Sequence, residues 1–146
     1  MIFNPVILLI IAHLLGDVVF ASHRLALLKR SSAYSSRFLG HFIHTFIHSF
    51  FTGALLFYGN YHWPKGVVLV FVSHGIIDII RSTTEIKLFG PGKVYVRRSE
   101  FKEWITGKSK NHNKMNLKNL RPWLMINILD QVCHIISLYI ISRVVS

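Results

Sequence analysis

All three aspartates of this chain lie inside apolar stretches of membrane length, and each has a histidine four residues away. The pairs are His13–Asp17, His74–Asp78 and Asp130–His134, and a fourth apolar stretch carries His41, His44 and His48. Residues i and i+4 share one face of a helix, so each stretch points a compact polar group in one direction. An ionisable side chain costs about 2.5–3.5 kcal/mol or more at a bilayer centre and is rare there without a function. Imidazole nitrogen together with carboxylate oxygen suits zinc, manganese or iron. The pattern predicts a metal site assembled inside a membrane helix bundle.

Eight residues are the expected ligands: His13, Asp17, His44, His48, His74, Asp78, Asp130 and His134. His41, Asn127 and Gln131 are expected around them as hydrogen-bond partners, His41 being the member nearest the interface and open to a simple solvated reading. A catalytic zinc keeps three protein ligands and a water, and metal-bound histidines lean on carboxylates. The donor set therefore suffices for one or two divalent ions, zinc first, with manganese or iron as alternatives. Asp130 is also the expected general base, as the carboxylate least engaged by metal. The bland alternative is a polar core in which His–Asp pairs hydrogen-bond between helices without metal. A di-iron bundle, built on Glu and Glu-x-x-His, fits poorly because the expected spans contain no glutamate.

These residues need helices to position them. The chain has 146 residues, enough for one domain, and is 51% hydrophobic. Its mean hydropathy of +0.42 is high for a soluble protein of this size. Four runs approach the roughly 20 apolar residues that cross a bilayer. They lie near residues 3–21, 39–58, 63–80 and 123–141. The expected fold is all-α, a four-helix transmembrane bundle. The first run lacks a basic leader and is interrupted by His13 and Asp17, so it reads as a retained helix. At 1.5 Å per residue, the polar pairs fall between about 3 and 17 Å from one set of helix ends and so overlap in depth.

The net charge of +11 is distributed unevenly. Of the 17 basic residues, 15 lie between the first two runs or between the last two, leaving Lys65 and Arg143 on the other side. The positive-inside rule then puts both termini outside and the long basic stretch, residues 81–122, in the cytoplasm. Topology and attraction to anionic headgroups account for the charge, so nucleic acid is not needed as a partner. Arg97 and Arg98 are the expected contacts to headgroups or to a cytoplasmic protein partner. Four short helices also leave room for a homo-oligomer.

Within the long stretch, Glu85–Arg98 alternates around Gly90-Pro91-Gly92 and predicts a β-hairpin. Ser99–Ile105, closed by Gly107, predicts a short helix, and the Asn/Lys-rich Lys108–Asn119 predicts a flexible segment. Ser31–Ser36 reads as a loop. Gly90-Pro91-Gly92-Lys93 lacks the spacing and the Ser or Thr of a phosphate loop. Cys133 is the only cysteine, which excludes an intrachain disulfide, and it reads as a small packed residue.

Ala12-His13-Leu14-Leu15-Gly16-Asp17, the His-rich second run, Ser73-His74-Gly75-Ile76-Ile77-Asp78 and Asp130-Gln131-Val132-Cys133-His134 resemble the bacterial membrane family catalogued as domain of unknown function 3307. The resemblance covers all four runs and implies the same topology in a bacterial inner membrane. More distantly the chain is similar to predicted membrane-bound metal-dependent hydrolases, whose His-x-x-x-Asp pairs resemble the zinc-dependent phospholipase C fold. That second likeness implies metal-dependent hydrolysis by analogy alone.

Three functions compete. A membrane-embedded metal-dependent hydrolase would act on a lipid or lipid-linked phosphoester at the inner leaflet. A metal or proton transporter would use the Asp and His residues as a relay. A membrane anchor would recruit a cytoplasmic partner through its basic stretch. The apolar outer halves, such as Val6–Ile11 and Val67–Val72, argue for a closed pocket over a path.

Overall fold

The computed structural model describes residues 4–92, 106 and 117–146, and among them it is all helix and turn, with no strand. Helix α1 spans Pro5–Leu14. Asn4 caps it, its side chain accepting from the Val6 amide at 2.9 Å, and Pro5 sits in the first turn where no amide is required.

The helix does not continue as expected to residue 21. Leu15–Val19 widens into a π turn, closed by the Phe20 amide on the Leu15 carbonyl at 3.1 Å. The chain then bends by 96° into a second helix. This helix, α2, spans His23–Lys29 and starts at Ser22, whose hydroxyl accepts from the Leu25 amide. Nothing in the apolar pattern announced it.

Helix α3 runs from Tyr34 to Tyr58, beginning inside the expected Ser-rich loop. Helix α4 runs from Trp63 to Phe89, well past the expected end at 80. Hydropathy drops at Arg81, but Ser82 and Glu85 are buried and keep the helix packed. The expected hairpin from Glu85 is therefore wrong at its start. Glu85–Phe89 is helical, and Gly90, at φ 87°, ends the helix in a conformation open to glycine. The Gly92 amide then donates to the Arg30 carbonyl at 2.7 Å, tying this turn to the end of α2. The rest of the hairpin, the helix expected at Ser99–Ile105 and the segment Lys108–Asn119 up to residue 116 lie outside the described residues. Helix α5 spans Leu117–Val145, with Pro122 near its start.

Helix α3 packs on α4, α2 and α1, while α5 packs on α4 and α1. Gly66 admits a close α3–α4 approach, since a Cβ there would run into the Leu56 side chain. One end of this assembly, next to the turn at residues 59–62, is apolar. Leu9, Leu56, Val70, Leu138, Ile141 and Val145 form a buried cluster there, with Tyr61 and Leu69 against it. The opposite end, next to α2 and Gly90, is polar inside.

Burial is inverted relative to a water-soluble domain. Among the described residues, fourteen buried polar side chains outnumber nine buried apolar ones. Phe42, Phe46, Phe50, Val68, Val72, Ile76, Ile128, Ile135 and Tyr139 face outward. Contiguous apolar surface of this kind marks a membrane or partner interface. Helix α4 and the Arg121–Val145 part of α5 are long and apolar enough to cross a membrane, and α1 with α2 makes a third if the bent pair counts as one span. Helix α3 has the length, 25 residues, but its buried face is polar from His41 to Thr52, which lowers its average hydropathy.

Candidate metal centre

Five imidazoles from four helices meet in the polar half. His13 comes from α1, His44 and His48 from α3, His74 from α4 and His134 from α5. The His48 and His74 rings stack at 3.8 Å between centroids, and His74 lies 4.3 Å from His134. His44 sits 4.6 Å from His48, and His13 is 4.9 Å from His134.

The carboxylates enter this cluster from two sides. Asp17 Oδ1 lies 3.2 Å from His48 Nε2 and 3.3 Å from His44 Nε2. Its other oxygen, Oδ2, lies 3.4 Å from His13 Nε2. Asp78 Oδ2 lies 3.3 Å from His44 Nε2 and 4.0 Å from His74 Nε2. A tetrahedral ion with ligands at 2.0–2.1 Å separates neighbouring ligand atoms by about 3.3 Å. Asp17 Oδ1 stands at that spacing from both His44 Nε2 and His48 Nε2.

Two sets of donors converge within 4.8 Å, atom to atom: Asp17, His44, His48 and His74, and then His74, Asp78 and His134. Seven of the eight residues expected as ligands thus belong to, or directly touch, one nitrogen- and oxygen-rich cluster. His13 stands beside it, on Asp17. Asp130 is the eighth and is engaged differently.

Its Oδ2 accepts from Arg81 Nη1 at 2.8 Å and from Gln131 Nε2 at 3.2 Å, while its Oδ1 has no hydrogen-bond partner. Its backbone carbonyl accepts from His134 Nδ1 at 2.8 Å. That bond fixes the tautomer, leaving the His134 Nε2 lone pair buried and unpartnered. His74 Nε2 is likewise buried without a hydrogen-bond partner. Buried polar atoms are hydrogen-bonded in the great majority of cases. Bare imidazole nitrogens facing one cluster therefore fit a cation, and the donor set suits zinc, manganese or iron.

The expected supporting residues divide. Gln131 bridges the site, with Oε1 3.3 Å from His13 Nε2 and Nε2 donating to Asp17 Oδ2 at 3.4 Å. Asn127 accepts from Arg81 and donates to the Trp123 carbonyl, so it orients Arg81. His41 lies apart from the ring cluster and pairs with Ser82 Oγ at 2.9 Å. It is buried, not solvated. Arg97 and Arg98 lie outside the described residues.

Sequence reasoning missed the layer of charge beneath the histidines. Lys29 Nζ lies 2.8 Å from Asp78 Oδ2. Arg30 pairs with Glu85, and Arg81 reaches Glu85 as well as Asp130. The sequence pattern puts all three cations in loops. Glu85, buried in α4, likewise corrects the expectation that this helix holds no acidic residue beyond Asp78. Its four-residue spacing from Arg81 was the one available signal.

Residues 6–146 match the family described as "Protein of unknown function (DUF3307)". No curated protein and no solved structure matches the chain, and the more distant similarity to metal-dependent hydrolases gains no support from these comparisons. With all but the first five residues covered, this chain belongs to the DUF3307 family.

Proposed function

We propose that this protein is a membrane-embedded metal-dependent hydrolase acting on a lipid or lipid-linked phosphoester at the inner leaflet of a bacterial inner membrane. One observation carries the proposal: four histidines and two aspartates, from α3, α4, α5 and the π turn that follows α1, converge at ligand spacing. On this reading α1, α3, α4 and α5 form a four-helix transmembrane bundle. Helix α3 crosses with its phenylalanines toward lipid and its histidines toward its neighbours. The termini lie outside and the α2 end faces the cytoplasm, as the charge bias requires.

Asp17, His44, His48 and His74 would hold zinc, manganese or iron. A bound divalent ion supplies a Lewis acid and a water of lowered pKa. Asp17 is the most open member of the set, its side chain 24% exposed, so substrate approaches from its side. Asp130, whose Oδ1 accepts no hydrogen bond, takes the proton as general base. Arg81 and Gln131 fix its orientation. The apolar cluster at the other end supports a closed pocket over a transport path, because the buried layer beyond the histidines is built of leucine, isoleucine and valine.

The test incubates metal-loaded protein in nanodiscs with mixed bacterial lipids and lipid-linked phosphates, with and without chelator. A chelator-sensitive product from wild type that Asp17→Asn fails to make is expected. A metal-loaded wild type that releases no such product overturns the hydrolase reading.

A further inference from the structure

Four carboxylates gather at the α2 end, Asp17, Asp78, Glu85 and Asp130, and three cations reach them, Lys29, Arg30 and Arg81. The pairing leaves one carboxylate out. Asp78 has Lys29, Glu85 has Arg30 and Arg81, and Asp130 has Arg81. Asp17 draws its partners from His13, His44, His48 and Gln131, and among the described residues it pairs with no lysine or arginine.

We propose that the site binds a single divalent ion at Asp17, His44, His48 and His74, and that the Lys29 ammonium, seated on Asp78, occupies the place of a second cation beside His74 and His134. The inference rests on the metal-binding reading above and specifies its stoichiometry.

Lys29 is delivered to this position by the architecture. It ends α2, a helix bent 96° from α1. Gly40 of α3 makes room for it, since a Cβ there would press on the Lys29 backbone nitrogen at 2.7 Å. The Gly92 amide fastens the adjoining Arg30 carbonyl. Its ammonium sits 2.8 Å from Asp78 Oδ2, the same oxygen that approaches His44 and His74. A second dication at His74, Asp78 and His134 would compete with Lys29 for the Asp78 carboxylate. It would also stand close to a fixed positive charge in a medium of low dielectric, where like charges repel strongly.

The charge count points the same way. With neutral histidines, four carboxylates against three cations leave one net negative charge. One divalent ion reverses this to one positive charge, which suits an anionic phosphoester, whereas two ions would leave three. Because His74 belongs to both donor sets and one imidazole nitrogen serves one ion, a second ion would rest on Asp78 and His134 and bind more weakly than the first.

Metal titration of wild type and Lys29→Met in nanodiscs, read as metal per protein by elemental analysis, tests this. Wild type should saturate at one zinc or manganese, and Lys29→Met at two, the second weaker. Lys29→Arg should return to one. Manganese-loaded wild type should give the six-line resonance of an isolated ion at any excess of metal, a readout that does not depend on the variant folding. Two tightly held ions in wild type, an exchange-coupled manganese spectrum, or a stably folded Lys29→Met that still takes only one ion would each overturn the proposal. A wild type that binds no metal overturns the metal reading itself, and this inference with it.

Discussion

Gly16 lies directly against the imidazole of His48. A Cβ at Gly16 would overlap the ring at Cε1, Nε2 and Cδ2. Gly16 belongs to the π turn that also carries Asp17, so the wide turn brings a bare backbone and a carboxylate to the same imidazole. Single π turns inside helices recur at functional sites.

Gly16→Ala should therefore displace His48 from Asp17 Oδ1. Overpacking of this kind costs about 1–3 kcal/mol. Metal affinity should fall on the order of 10–100-fold, the usual penalty for disturbing the support of a ligand. A thermal melt in detergent and a zinc-competition titration report the two effects. Unchanged affinity in a folded variant would contradict the assignment of His48 as a ligand.

Asp78→Asn separates charge balance from metal binding. From sequence alone the change looks mild, because an amide is cheaper in a bilayer than an unpaired carboxylate. Lys29 alters that expectation, since its ammonium would lose its partner. Removing one member of a buried ion pair costs about 3–5 kcal/mol. The melting temperature of Asp78→Asn should fall steeply, while Lys29→Met/Asp78→Asn should recover most of the loss. A mild effect in the single variant would show that Lys29 is not held there.

Arg81→Met should destabilise by a similar amount, about 3–5 kcal/mol. It leaves Asp130 without a cation and takes one of two cationic partners from Glu85. Arg81→Lys should rescue only in part, because one ammonium cannot reproduce the separate bonds to Asp130, Glu85 and Asn127. Denaturant midpoints of the three proteins check the order.

Membrane orientation is testable with single accessibility tags. Residue 65 and the C-terminus should report the outer face and residue 110 the cytoplasm. Residues 65 and 110 on the same side would remove α4 as a span and, with it, the proposed bundle.

The histidine–aspartate cluster was legible because it is local. His13 with Asp17, His74 with Asp78 and Asp130 with His134 each lie four residues apart on one helix, and the apolar residues around them set the depth at which they meet. The ion-pair layer was not legible, because Lys29 with Asp78, Arg30 with Glu85 and Arg81 with Asp130 join different helices. Without those partners a charge reads as the end of a span. That is why the apolar pattern ends at residue 80 and places Arg81 in a loop. Helix α2 escaped for a different reason. The π turn before it uses ordinary apolar residues, and only Ser22, acting as a cap, marked the new start.

The inverted interior has a thermodynamic consequence. In a bilayer, separating these helices would move their phenylalanine and isoleucine surfaces from lipid to lipid, with little apolar area passing into water. The positive heat capacity of unfolding comes from hydrating such area. Helix separation should therefore proceed with a small heat-capacity change, and its free energy should vary almost linearly with temperature. Cold would not loosen this protein as it loosens a domain held together by the hydrophobic effect.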